Sequence, residues 1–81
     1  MYYVYVLKNK EDKYYIGYTI DVLKRLKKHN AGGSIWTRNR RPWQVVYTEK
    51  FMTKKEALQR EKQVKSFKGG NKFKELISTV S

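Results

Sequence analysis

Tyr2-Tyr3-Val4-Tyr5-Val6-Leu7 is the stretch on which the fold turns. All six residues favour extended backbone, and an unbroken run of this kind reads as a strand covered on both faces. Asn9 to Lys13 is a polar turn, and Tyr14-Tyr15-Ile16-Gly17-Tyr18 is a second β-rich run. Two such runs joined so closely predict an antiparallel hairpin. Next, Asp21 predicts an N-cap for a helix with Val22, Leu23 and Leu26 as its apolar stripe. That helix ends near Asn30, where Gly32-Gly33 can take the backbone angles of a helix terminus. Residues 34–42 are a basic, irregular connector. Trp43 to Phe51 predicts a third strand, with Trp43, Val45, Tyr47 and Phe51 sharing one face and Glu49 falling on it. Thr53-Lys54-Lys55-Glu56 matches a capping box, opening a helix that runs to about Phe67. Gly69-Gly70 breaks it, and Asn71 can cap a last helix carrying Phe73, Leu76, Ile77 and Val80 at helical spacing. The expected order is β-β-α-β-α-α. This is an α+β fold, a three-stranded antiparallel sheet flanked by helices, with residues 1–81 forming a single domain.

Composition narrows the function. Nineteen lysines and arginines against seven acids leave a net charge of +12, which draws a small protein to polyanions, nucleic acid first among them. The chain has no cysteine and one histidine, so disulfide scaffolds, zinc fingers, cysteine nucleophiles and two-histidine sites are excluded. No stretch approaches the ~20 apolar residues of a membrane span, and the apolar opening is too short for a signal peptide. The expected setting is the cytoplasm. Chemistry must then fall to carboxylates, Arg, Lys, Tyr or His29.

Among the carboxylates, Asp21 and Glu56 read as caps, while Glu11 and Asp12 lie in the turn. Glu61 differs. At about 100° per residue, Ala57, Glu61, Val64 and Lys68 fall on one side of their helix, so Glu61 points with the apolar stripe. The plain reading is an ion pair with Lys65, four residues on. The alternative is a metal ligand, since magnesium often takes one or two protein carboxylates and fills its shell with water and phosphate oxygens. Arg25 and His29 also lie four residues apart, beside the Val22/Leu26 stripe. They are either a solvated basic rim or a phosphate clamp with a proton-handling imidazole. The seven tyrosines are strand-packing residues, base-stacking platforms or, if their pKa is drawn down, a general base. Arg38, Arg40 and Arg41 in the connector, with Lys65 on the Lys-rich helix, are the expected contacts to phosphate backbone.

Together, Tyr3-Val4-Tyr5, Tyr15-Ile16-Gly17, Arg25 eight residues past that glycine, and the Glu56-Ala57-Leu58-x-x-Glu61-x-x-Val64-Lys65 helix resemble the GIY-YIG nuclease superfamily. Within it the chain is similar to the small stand-alone bacterial branch, in which the nuclease module is essentially the whole protein. The resemblance runs from Tyr2 to Ile77. It implies a metal-dependent endonuclease, a hydrolase cutting phosphodiester bonds in nucleic acid, DNA before RNA, with no small-molecule cofactor. By position, Tyr5 and Tyr15 are the two motif tyrosines, one of which helps activate the attacking water. Arg25 steadies charge on the scissile phosphate, and His29 falls where members carry a tyrosine or histidine near the reacting centre. Glu61 holds one Mg²⁺ or Mn²⁺ ion, and Asn71 stands for an asparagine toward the C-terminal end. The chain departs from the pattern in two places: Tyr3 replaces the first-motif glycine, and Tyr18 stands where repair-type members often carry lysine. With no added DNA-binding domain, the other class of function is a non-catalytic nucleic-acid-binding module or adaptor on the same fold.

Overall fold

A computed structural model describes residues 1–33 and 41–78. Arg38, Arg40 and Val80 of the readings above lie outside the described residues. The elements are β1 (Tyr2–Lys8), β2 (Tyr14–Thr19), α1 (Val22–Asn30), β3 (Gln44–Phe51), α2 (Lys54–Ser66) and α3 (Asn71–Ser78). This is the expected β-β-α-β-α-α order in an α+β fold. The strands form one antiparallel sheet in the order β2-β1-β3. The central place of β1 explains its unbroken apolar sequence, for Val4, Tyr5, Val6 and Leu7 are all buried.

Local chemistry sets the joints. In the hairpin turn, Asn9 Oδ1 accepts from the backbone N–H groups of Glu11 (3.0 Å) and Lys13 (2.9 Å), the self-bonding that makes asparagine a turn residue. The N–H of Lys24 donates to Asp21 Oδ1 at 3.0 Å, so Asp21 caps α1. At the far end Gly32 sits at φ 84, conformational space that glycine enters without strain. Thr53 Oγ1 accepts from Glu56 N–H at 3.2 Å and donates to the Glu56 carboxylate at 2.9 Å. Glu56 therefore reaches back to the cap hydroxyl. Asn71 is the first residue of α3, whose opening bond runs from Lys74 N–H to the Gly70 carbonyl. The last helix thus starts one residue earlier than a cap at Asn71 implies.

Two apolar layers cover the sheet. Tyr5, Leu7 and Trp43 pack with Tyr15, Val22, Leu26 and Val45 under α1. Val6, Tyr47, Val64 and Phe73 pack with Ile16, Phe67, Leu76 and Ile77 under α2 and α3. Two expectations are corrected here. Val6 pairs with Tyr47 but Leu7 pairs with Val45, so the register shifts and Val46 is an extra residue. A bulge of this kind inverts the alternation: Trp43 and Val45 face α1, while Tyr47 and Glu49 face the other helices. Leu23 also leaves the predicted stripe and stands exposed on α1. No helix among the described residues is long and apolar enough to cross a membrane.

Candidate active site

Tyr5 lies mid-strand in β1, directly opposite Gly17 of β2. A Cβ at position 17 would stand 2.7 Å from the Tyr5 hydroxyl oxygen and 2.9 Å from Cζ. The phenol therefore lies across the second-motif glycine, in the space a side chain would take. This close approach directs the hydroxyl toward α1, where it forms a 3.1 Å hydrogen bond with His29 Nε2. His29, in the last turn of α1, is 2% exposed. The reading of His29 as part of a solvated rim therefore fails, whereas its neighbours Lys24, Lys27 and Lys28 are exposed as such a rim requires. The Tyr15 ring completes the group, its centroid 4.6 Å from His29 and 6.2 Å from Tyr5.

The electrostatics bring in the remaining two residues. Burial pushes the Tyr5 hydroxyl far above the ordinary tyrosine range; Tyr15 and Glu61 add to the rise, and Arg25 opposes it. Arg25 on α1 and Glu61 on α2 thus both act on one phenol oxygen, although their helices pack against opposite faces of the sheet. The drawn-down tyrosine that a general base needs is not Tyr5 in this resting state. Burial pushes His29 below its ordinary value, and the positive charges of Arg25 and Lys28 add to that. At neutral pH His29 is therefore an uncharged imidazole.

Exposure sorts the group into two layers. Tyr15, Arg25 and Glu61 are half-buried, and Tyr5 and His29 are buried. The Glu61 side chain is 16% exposed, and its carboxylate pairs at 3.8 Å with the ammonium of Lys65, whose side chain is more exposed. The ion pair expected from the i, i+4 spacing is therefore present, though long. Among the described residues no three His, Cys, Asp or Glu side chains cluster into a metal cage. One shielded carboxylate fits a hydrated Mg²⁺ or Mn²⁺, which needs few protein ligands, and does not fit a metal demanding several. Beside Arg25, a hollow of about 620 Å³ is lined by Lys24, Lys27 and Lys28, with Asp21, already engaged as a cap, as its only acid. Such a surface suits phosphate groups.

Of the expected phosphate contacts, Arg41 donates from Nη1 to the Asn30 carbonyl at 3.2 Å. Lys65 is exposed beside Glu61, and Asn71 is exposed at the start of α3. Two residues escaped the sequence reading. Asn30 clamps the connector's far end to α1, accepting from Trp43 N–H at 2.7 Å and donating to the Trp43 carbonyl at 3.1 Å. Lys28 reads as one more surface lysine, yet its charge reaches His29. Neither had a signal beyond a residue type common at helix ends.

The GIY-YIG catalytic domain family model matches residues 1–74. The chain is 49% identical over 77 residues to a UPF0213 protein of Staphylococcus saprophyticus, an overlap of 94% of this chain and 93% of that protein. It is 42% identical over 73 residues to a UPF0213 protein of Halobacterium salinarum, covering 89% of this chain and 95% of the other. The solution NMR structure of a UPF0213 protein from Bacillus halodurans matches with a TM-score of 0.62 at 42% identity, covering 98% of this chain and 85% of that one. With motif, fold and relatives in agreement, the chain belongs to the GIY-YIG catalytic domain family, alongside the UPF0213 proteins.

Proposed function

We propose that this protein is a divalent-metal-dependent endonuclease that hydrolyses phosphodiester bonds in nucleic acid, with DNA as the first substrate to test. The observation that carries the reading is the meeting of opposite charges on one phenol: Arg25 and Glu61 both act on the Tyr5 hydroxyl. A cation and an anion within electrostatic reach of one hydroxyl, which is itself bonded to an imidazole, are groups that hydrolysis of an anionic ester can use. Arg25 offers a planar fork of donors to the phosphate and stabilises the charge that builds on it during attack. Glu61 is the residue to hold Mg²⁺ or Mn²⁺, which when bound supplies Lewis-acid charge against a phosphate oxygen. Tyr15 orients the attacking water, a role that its half-buried ring beside His29 supports. The lysines of α1 and the basic connector hold the flanking phosphates, a sequence-independent contact.

The test is cleavage of single-stranded, duplex and branched DNA and RNA, with and without Mg²⁺ or Mn²⁺. Glu61→Ala and Arg25→Ala are each expected to lower metal-dependent nicking by about 10²-fold or more while thermal unfolding stays cooperative. A Glu61→Ala protein that cuts as fast as the parent overturns the assignment. The net charge of +12 favours one further reading, a binding module that holds nucleic acid without cutting it. That reading expects binding indifferent to Mg²⁺ and no cleavage products.

A further inference from the structure

Glu61 is held differently from the acids nearest it in the chain. Glu49 is closed on two sides, by Arg60 Nε at 3.0 Å and the Tyr47 hydroxyl at 2.6 Å, and Glu56 accepts from the Thr53 hydroxyl at 2.9 Å. Among the described residues the Glu61 carboxylate accepts no hydrogen bond, and its one ion pair is with Lys65. We propose that Lys65 is a resident counter-cation for Glu61, tethered one helical turn away, which keeps a divalent ion off the carboxylate until a phosphate of nucleic acid draws the ammonium aside. The inference rests on the nuclease reading and deepens it: metal and nucleic acid load together, each tightening the hold on the other.

Shielding and reach set up the exchange. The Glu61 side chain is 16% exposed, so its charge needs a cation, whereas the Lys65 side chain is 55% exposed. At 3.8 Å the contact is beyond hydrogen-bond length, a meeting of charges with no directional bond to break. Lysine carries its charge as a point on a flexible four-carbon stem, so the ammonium leaves such a contact without moving the helix. Ala57 and Val64, buried on the same side of α2, hold Glu61 toward the sheet, where it acts on the Tyr5 hydroxyl. The carboxylate is thus anchored and the ammonium is not. A divalent ion at Glu61 meets the Lys65 charge at close range, and that repulsion lowers its affinity while the protein is free. A nucleic-acid phosphate offers the ammonium a second anion, which lysine binds as a point charge. By linkage the effect runs both ways: a metal on Glu61 releases Lys65 to phosphate and so tightens nucleic-acid binding. Lys62 is exposed and carries the same charge but, one residue along the helix, does not face Glu61. Lys65 acts through Glu61 and is therefore a positioning residue.

Two binding measurements on the full chain test the gate, and neither needs cleavage. The first titrates Mn²⁺ without nucleic acid and counts the free ion by electron paramagnetic resonance. Lys65→Met keeps the stem and removes the charge. It is expected to bind Mn²⁺ about two- to fivefold tighter than the parent, the worth of a partly exposed ion pair. Lys62→Met makes the same change in net charge and is expected to match the parent, while Glu61→Gln is expected to lose the site. The second follows a fluorescent DNA oligonucleotide by anisotropy in Ca²⁺ and in EDTA at matched ionic strength, with calcium in place of magnesium to keep the DNA whole. The parent is expected to bind DNA more tightly in Ca²⁺, and Lys65→Met to show a gain about two- to fivefold smaller. A Lys65→Met protein that binds Mn²⁺ no tighter than the parent or than Lys62→Met overturns the gate and leaves Glu61 as the metal ligand. A calcium gain that is absent in the parent, or undiminished in Lys65→Met, does the same. A Glu61→Gln protein that binds Mn²⁺ as the parent does overturns the metal assignment of the proposed function, and the gate with it.

Discussion

At the scale of single residues, Gly17 is the position where sequence, packing and chemistry meet. Its backbone is ordinary strand, so the demand for glycine comes from contact and not from conformation. Adding one methyl group there sets a carbon 2.7 Å from the Tyr5 oxygen and 2.9 Å from its ring. The ring is buried and packed with Leu7, Trp43 and their neighbours, and its hydroxyl is bonded to His29, so yielding to a methyl group disturbs that packing or that bond. Overpacking of this kind costs about 1–3 kcal/mol. For a chain of this size each kcal/mol lowers the melting temperature by about 4–8 °C. Gly17→Ala is therefore expected to melt measurably lower than the parent by calorimetry. An unchanged melting temperature would mean that the ring has room the static packing does not reveal. The sequence motif marks this glycine but is silent on why it is one. The answer depends on Tyr5 pairing with Gly17 across β1 and β2, a register that no local pattern states.

At the scale of elements, capping and punctuation were legible in advance. Asp21, Gly32 and Thr53 do the local work their residue types predict, and the six elements follow in the expected order. The inversion within β3 was not read, because Trp43, Val45, Tyr47 and Phe51 all fall on odd positions and the adjacent Val45-Val46 pair was the one break in that pattern. The bulge at Val46 exists only in the pairing with β1. Its consequence is that Glu49 becomes a junction: its Oε2 accepts from the Tyr47 hydroxyl at 2.6 Å and from Arg60 Nε at 3.0 Å, and Arg60 goes on to Gln63 at 2.8 Å. This ties α2 to the sheet one residue from Glu61. Removing the acceptor leaves Tyr47, itself buried, and a half-buried guanidinium without it, which typically costs about 1–3 kcal/mol. Glu49→Ala is expected to unfold at lower urea than the parent, with Glu49→Gln falling between them because an amide oxygen still accepts. Equal midpoints for all three proteins would remove the junction from the account of how α2 is held.

At the scale of the whole molecule, the excess of positive charge and the buried imidazole make stability depend on pH in separable ways. His29 is held below its ordinary value of 6.5 by burial, Arg25 and Lys28. Between that lowered value and 6.5 the unfolded chain binds more protons than the folded one, so acid favours unfolding. The stability from keeping His29 neutral is complete above pH 6.5 and is lost as pH falls toward the folded-state value. Carboxylates of ordinary pKa titrate near pH ~4, so little of the loss between pH 6.5 and 5 comes from them. Below that, protonating seven acids raises the net charge further, and self-repulsion takes over. Long-range repulsion between exposed charges is screened by salt, whereas the cost of burying an imidazolium is screened far less. Urea midpoints at pH 8, 7, 6 and 5 are therefore expected to be flat above 6.5 and to decline below it. That decline should survive added salt and be absent in His29→Gln, whose amide does not titrate. A decline that vanishes in salt would assign the effect to the overall charge and leave the folded-state pKa of His29 unperturbed by its surroundings.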